Sequence, residues 1–416
     1  MNNNTAYKQT EIGLIPTDWK VKKLGEIFVF KNGLNKEKEF FGEGTPIVNY
    51  KDVYKNSFLT TNIINGKVTV SENELKNFEV RKGDVFFTRT SETIKEIGLS
   101  SVVIENVENT VFSGFVLRAR PINDVLDTNY NIYCFCSESV RREITTKSTH
   151  TTRALTNGTL LSEVKLPVPP IQEQQKIAEI LGTFDQAINA TKQIVEELIE
   201  RNKSLAQSLL LGKKRVAGFD KKWKIKELSE CLNYTPRPIP KPSENYLSLG
   251  LRSHGKGVFH KADFDTDKVA MDTLFEVKEN DLIINITFAW EQAVAIVSKN
   301  DEGGLVSHRF PTYTFNTENA IPEYFRHFIL QKYFKYLLEL ISPGGAGRNR
   351  VMSKKDFLKL EVKLPEVEEQ TAIATILNTA NEELKQYEVK LQNLQLQKKG
   401  LMQQLLTGKV RVKTKK

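Results

Sequence analysis

LPVPPIQEQQKIAEILGTFDQAINATKQIVEELIERNKSLAQSLLLG, from Leu166 to Gly212, decides how the rest of the chain is read. Pro167, Pro169 and Pro170 end whatever precedes them, and only Gly182 interrupts the run after them. The spacing predicts one helix starting near Pro170 or Ile171 and running for roughly 40 residues, or about 60 Å. That is longer than a small domain is wide. The chain then repeats the stretch as LPEVEEQTAIATILNTANEELKQYEVKLQNLQLQKKGLMQQLLTG, Leu364 to Gly408, with Glu173-Gln174 matched by Glu369-Gln370 and Leu209–Gly212 by Leu405–Gly408. Two such helices imply two copies of one plan.

Heptads run through both. In the first helix the core positions are Ile177, Leu181, Phe184, Ile188, Thr191, Val195, Leu198, Asn202, Leu205 and Leu209. Their equivalents in the second are Ile373, Leu377, Ala380, Leu384, Tyr387, Leu391, Leu394, Lys398, Leu401 and Leu405. An apolar seam sustained over four heptads is a coiled-coil signature, and each helix offers the other a surface to bury it. Asn202 and Lys398 fall at equivalent positions, where a polar residue either fixes register or is tolerated near a frayed end. Ile180, Ile194, Ile199, Ile376 and Leu396 lie outside the seam, as apolar surface for another protein or for the chain's own domains.

The repeat extends beyond the helices. Trp19, Val21 and Leu24 align with Trp223, Ile225 and Leu228; KGDVFFTRTS (Lys82–Ser91) with ENDLIINITFAW (Glu279–Trp290), Asp84 on Asp281; and TVFSGFVLRAR (Thr110–Arg120) with GLVSHRFPTYTF (Gly304–Phe315), Ser113 on Ser307. These segments read as strands, while 129–144 and 321–341 carry helical spacing. Each globular part closes with a polar loop, STHTTRALTNGT (Ser148–Thr159) or SPGGAGRNRVMS (Ser342–Ser353), then a short strand, Glu163–Leu166 or Glu361–Leu364. The expected fold is α+β: two similar mixed α/β domains, 1–168 and 213–365, separated by two long helices, 169–212 and 366–416 with its basic tail. The helices are expected to form an antiparallel coiled coil in a pseudo-twofold internal repeat, which would act as a spacer.

Composition narrows the function. Sixty Lys and Arg against 51 Asp and Glu leave a net charge of +9, which suggests a polyanionic partner. Cys134, Cys136 and Cys231 are too few and badly spaced for a disulfide framework or a zinc site. The opening MNNNTAYKQTEIGLIP lacks the apolar core of a signal peptide, and no apolar run approaches a membrane span, so a soluble cytoplasmic protein is expected.

No catalytic motif survives. GLRSHGKG (Gly250–Gly257) has the spacing of a phosphate loop but ends in glycine where a hydroxyl should reach magnesium, and it follows no clear strand leading into a helix. Asp263, Asp265, Asp267 and Lys268 read as a solvated turn rather than a nuclease centre, and the five histidines have no metal spacing. There is no glycine-rich cofactor loop, and no Asn/Asp-Pro-Pro-aromatic motif of an amino-methyltransferase. The chain is therefore expected to bind rather than catalyse, with no metal of its own.

What remains are polar loops at matching places in both halves: Arg89, Thr90, Ser91; Thr151, Thr152, Arg153; Arg252, Ser253, His254, Lys256; His308, Arg309; and Arg348, Asn349, Arg350. Arg grips guanine and Asn adenine through paired hydrogen bonds, whereas Lys, Ser and Thr more often hold phosphates. As a set they point to double-stranded DNA. Lys213, Lys214, Arg215, Lys221, Lys222, Lys224 and Lys226, and the tail Lys409, Arg411, Lys413, Lys415 and Lys416, are further candidates for phosphate contact, with plain solvation the alternative for the tail.

TEIGLIPTDWKVKKLGEI, LPVPPIQEQQKIAEIL with its weaker copy LPEVEEQTAIATIL, and the helix ends LLLGKKRV and LLTGKVRV resemble the specificity subunits of Type I restriction-modification systems over nearly the whole chain. YLSLGLRSHGKGVF and ITFAWEQAVAIV look like one class of target recognition domain in that family. The second helix start departs from the pattern, with Glu366-Val367 where the first has Pro169-Pro170-Ile171. The resemblance implies that each target recognition domain reads one half of a bipartite site and that the helices set the spacing. It also implies two methyltransferase subunits docked on the helices, with S-adenosylmethionine, and restriction subunits using ATP and Mg, while this chain catalyses nothing. A coiled-coil adaptor that joins two proteins and touches no DNA is the competing reading.

Overall fold

Val85–Thr88, apolar and buried on both faces, is the middle strand of a five-stranded sheet. The computed structural model describes residues 6–261, 265–266, 269–344 and 350–413. The strand order is Phe28–Asn32, Val116–Pro121, Val85–Thr88, Ser100–Val103, Phe58–Leu59, antiparallel except for the last pair. Because side chains alternate across a strand, Val85 and Phe87 enter one core and Phe86 another. The first core is capped by two helices, Thr128–Cys134 and Glu138–Lys147; the second lies under a small sheet of Val111–Phe112, Phe41–Val48 and Gly66–Val68.

The same order recurs later in the chain. Leu232–Tyr234, Thr312–Phe315, Leu282–Ile284 and Val294–Ile296 form a four-stranded antiparallel sheet, with Leu282 and Ile284 in one core and Ile283 in the other. Helices Pro322–Phe328 and Lys332–Leu340 stand where the pair 128–147 stands in the first half. Asp84 and its counterpart Asp281 are both buried, and each takes a two-pronged guanidinium. Arg120 comes from a strand (2.7 and 2.7 Å); Arg237 comes from a loop (2.5 and 3.0 Å). Carboxylate position is repeated while arginine origin is not.

The long helices span Ile171–Leu210 and Val367–Leu405. Two compact units divide each near its middle: residues 1–192 with 390–416, and 193–389. Within the first unit Asp185 bonds Lys398 (2.5 Å) and Glu173 bonds Arg411 (2.7 Å); within the second Arg201 bonds Glu383 (2.6 Å) and Asn202 donates to the Ala380 carbonyl (2.8 Å). Rising numbers on one helix meet falling numbers on the other, so the helices pack antiparallel in each unit.

Burial along the predicted seam is graded. Ile177, Leu181, Leu405 and Leu406 enter the core of the first unit, and Leu209, Leu210, Ile373 and Leu377 that of the second. Ile188 and Leu198 are buried, whereas Phe184, Val195, Leu205, Leu384, Leu391, Leu394 and Leu401 are only half-buried. Two helices alone cover each other from one side, so full burial is reached where a domain adds a second wall. Asn202 and Lys398 both bond the opposite helix, rather than fraying. Ile199, Ile376 and Leu396 are exposed, and Ile180 leans on the first core.

Helix starts differ from expectation in one detail. The first strand before the helix is Lys165–Val168, which passes through Pro167 while pairing with Lys20–Lys23, and Glu163 instead ends a short helix, Gly158–Ser162. A two-stranded ladder leaves an outer edge where proline's missing N–H costs nothing. Its twin pairs Glu361–Leu364 with Lys224–Glu227.

The Glu-Gln pair at each helix start is a joint. Glu173 accepts the Trp19 indole N–H (2.9 Å) and two bonds from Arg411 (2.7 and 2.8 Å); Glu369 accepts Trp223 (3.0 Å) and two from Arg215 (2.7 and 2.7 Å). Gln174 donates to the Val125 and Pro169 carbonyls and accepts the Asp127 N–H; Gln370 does the same with Asn319, Pro365 and Ile321. Both pairs are buried, so every polar atom spent there is matched.

Candidate nucleic-acid interface

In the second unit the chain leaving strand Leu282–Ile284 holds several loops at one end of the sheet. The Ile286 N–H donates to the Arg309 carbonyl (3.0 Å), and its own carbonyl accepts Met352 N–H (2.8 Å). Glu291 and Gln292 carbonyls accept the N–H groups of His254 (2.6 Å) and Gly255 (3.0 Å), and the Glu291 carboxylate accepts the Ser253 hydroxyl (2.6 Å). Lys354 donates to the His308 carbonyl (3.3 Å). Ser253, His254, Arg309 and Met352 are thus bonded directly to one segment, 285–292, with Arg252, Lys256, His308 and Arg350 beside them in the chain.

GLRSHGKG is the turn of a hairpin, Leu249–Leu251 with Val258–His260, so it leads into a strand and not into a helix. His254 adopts a left-handed backbone (φ 63°), costly for a residue with a side chain, and Gly255 and Gly257 share it. At Gly255 a Cβ would also lie 2.7 Å from Leu330. Arg252, His254 and Lys256 project from this tip exposed, while Ser253 is held by Glu291.

Two aromatic platforms were not singled out from the sequence. The Arg350 guanidinium lies 4.9 Å over the Trp290 ring, with its Nε donating to the Ser342 carbonyl, and Arg252 lies 5.5 Å over Phe259. Stacking holds a guanidinium by its face and leaves edge N–H groups for a ligand. The signal was present as aromatics inside ITFAW and KGVF, but nothing in spacing says which arginine meets which ring. Arg348 and Asn349 lie outside the described residues, as do Asp263, Asp267 and Lys268.

The first unit builds a related surface. The Arg89 carbonyl accepts the Thr156 N–H (2.9 Å), the bond Ile286 makes with Met352, and its guanidinium donates to the Gly114 carbonyl (2.7 Å). Arg89 is half-buried and employed in clamping a loop. Thr90 and Ser91 form a short strand against Ala154–Leu155, and Ser91 is buried, its hydroxyl accepting the Thr93 N–H. Ser91 is therefore removed from the accessible set. The hairpin Thr149–His150 with Ala154–Leu155 presents Thr151, Thr152 and Arg153 exposed, with Arg153 3.4 Å from exposed Glu92. Arg141 braces the neighbouring loop through the carbonyls of Lys95, Ile97 and Gly98.

Much of the basic junction is internally paired. Arg215 bonds Glu369, Lys221 and Lys224 pair with Glu366 while staying exposed, Lys226 bonds Asn319, and Lys213, Lys214 and Lys222 are exposed as well. In the tail Arg411 is consumed by Glu173 and Asp18, Lys409 and Lys413 are exposed, and Lys415 and Lys416 lie outside the described residues.

Comparison with known proteins agrees with this architecture. The family model for the Type I restriction modification DNA specificity domain matches twice, at residues 16–200 and 220–394. The chain is similar to the putative type I restriction enzyme MjaX specificity subunit of Methanocaldococcus jannaschii, 24% identical over 445 residues covering 98% of this chain and 97% of that one. It is also similar to the EcoKI specificity subunit of Escherichia coli, 26% identical over 183 residues covering 43% of this chain and 39% of that one. Among solved structures, the Type I S subunit from M. genitalium superposes with a TM-score of 0.57 at 16% identity, covering 97% of each chain. The HsdS subunit from Thermoanaerobacter tengcongensis gives 0.54 at 14% identity, covering 95% of this chain and 98% of that one.

Proposed function

The chain belongs to the family of Type I restriction-modification DNA specificity subunits, and from that premise we propose a division of labour among its parts. Its role is DNA sequence specificity, which the family match favours over the adaptor reading. Each recognition domain reads one half of a bipartite duplex site through the loops gathered at one end of its sheet. The long helices set the separation of the two halves and carry two methyltransferase subunits, to which restriction subunits add. Catalysis belongs to those partners: S-adenosylmethionine to the methyltransferases, ATP and Mg to the restriction subunits, and none of it to this chain. Among the described residues no helix is long and apolar enough to cross a membrane, and we place its site of action in the cytoplasm with the DNA it reads.

The observation that carries the proposal is the repeat of one loop-presenting sheet in both units, with exposed basic side chains at both repeats: Arg153 at one, Arg252 and Lys256 at the other. Charge supplies sequence-independent affinity through phosphates, and side chains at the loop tips supply discrimination at base edges. Methylome sequencing of cells expressing the chain with its methyltransferase should reveal one gapped motif. Methylation that is absent, or confined to an ungapped motif, would end this reading.

A further inference from the structure

The two domains share a turn whose end residue differs in kind. In the second, Ser307 Oγ accepts the Arg309 N–H (3.3 Å) and the Ser307 carbonyl accepts the Phe310 N–H (2.9 Å). In the first, Ser113 Oγ accepts the Phe115 N–H (3.3 Å) and the Ser113 carbonyl accepts the Val116 N–H (3.1 Å). Phe115 therefore occupies the place of Arg309. Phe115 is 68% exposed, among the most exposed large apolar residues of those described.

Solvent exposure of this ring is not the result of a loose loop. The Gly114 N–H donates to the Leu34 carbonyl (2.7 Å), the Gly114 carbonyl accepts Arg89 (2.7 Å), and the Ser113 N–H donates to the Val48 carbonyl (3.0 Å). A Cβ on Gly33 would lie 2.2 Å from the Ser113 carbonyl oxygen, so the turn closes only with glycine there, and one on Gly114 would displace the Asn35 side chain, 2.0 Å away at Oδ1. Val116 pairs with Thr88, which places Phe115 beside the chain leaving toward Arg89 and Thr90. A phenyl ring pinned in water at the end of the recognition sheet has no partner within its own turn.

We propose that Phe115 is a specificity-determining residue of the first half-site that makes an apolar contact with a base. Two features of duplex DNA offer that chemistry: the C5-methyl of thymine, and a base step opened by an inserted ring. The second domain, with Arg309 at the same place, reads its half-site by hydrogen bonding and charge. The proposal rests on the DNA-reading function given above.

The test uses the full chain assembled with its methyltransferase subunits and duplexes carrying the methylome-derived motif. Phe115→Ala should lower affinity at least about fivefold, with the salt dependence of binding unchanged because no phosphate contact is lost. Phe115→Leu should retain part of it. Replacing each first-half thymine by deoxyuridine separates the sources: one substitution should reproduce the loss in wild type and add nothing in Phe115→Ala. If an opened step is responsible, 2-aminopurine at that step should brighten on binding wild type and not Phe115→Ala. An affinity change within about twofold overturns the proposal, as does failure of both probes or a Phe115→Ala complex that no longer assembles. If wild type shows no preference for the motif, it is the DNA-reading function that falls.

Discussion

Removing Arg411 should loosen the first unit and leave the second intact. Glu173 is 3% exposed at its side chain and is satisfied by Trp19 and a two-pronged Arg411; Arg411 itself is 25% exposed and also bonds Asp18 (3.0 and 2.7 Å). Breaking a buried pair by truncating one member costs about 3–5 kcal/mol, because the surviving charge stays out of water. Water can reach Glu173 through the space vacated by a partly exposed arginine, and the Trp19 bond survives, so Arg411→Ala should cost about 2–4 kcal/mol. Glu173→Gln keeps an acceptor for Trp19 and leaves Arg411 with Asp18, and should cost about 1–2 kcal/mol. A chain of two units does not guarantee a single unfolding transition, so the readout is hydrogen exchange resolved by peptide. Strands Lys20–Lys23 and Lys165–Val168 should lose protection in Arg411→Ala while Leu282–Ile284 and Thr312–Phe315 keep theirs. Arg215→Ala, which breaks the twin joint at Glu369, should give the mirror pattern. Loss below about 0.5 kcal/mol at 20–23, or equal loss in both units, would refute the reasoning.

Other expectations rest on the same geometry. Arg252→Ala with Lys256→Ala should change one half of the methylated motif or its occupancy while sparing the other, read by methylome sequencing. Deleting one heptad from each long helix, Ile188–Ile194 and Lys390–Leu396, shortens each by about 10 Å and should shorten the gap by about three base pairs. Asn202→Ala removes the bond to the Ala380 carbonyl and should lower the protection of the helix segment around Ala380 by about 1–2 kcal/mol in hydrogen exchange. His327 is lowered from its ordinary pKa by burial and by Arg326, against the opposing bond to Asn378, so the folded chain holds it neutral to lower pH than the unfolded chain does. The unfolded chain then takes up the proton first as pH falls, so stability is constant above the ordinary histidine range and declines through it down to the lowered value. His327→Gln should remove that part of the pH dependence, measured by exchange at 322–328.

Particular residues explain how far the sequence could be read. Strands at the centre of both sheets lie on apolar runs that were visible in the sequence, VFFT and LIIN, though their order was not, and the matched Asp84 and Asp281 proved to be equivalent buried carboxylates. Heptad positions located the helix contact, but the division between seam and domain core at Leu181 or Leu377 was not legible, because both environments select the same apolar residues. Among candidate contacts, Arg153, Arg252 and Lys256 project as exposed tips, whereas Ser91 and Arg89 are drawn inward. Residue type could not separate them. Trp290, Phe259 and Phe115 escaped notice because a ring in a sequence reads first as core.

The sequence by itself determined the twofold plan, the two long helices and their pairing, since these depend on periodicity and on length, which are local properties of a chain. Only the tertiary structure decided what each charge and ring is for. It spent Arg215 and Arg411 on the joints at Glu369 and Glu173, and left Phe115 in solvent at the place of Arg309. Whether a guanidinium pairs inward or outward is settled by the dielectric and by partners distant in the chain; 238 residues separate Arg411 from Glu173, a contact no local pattern encodes.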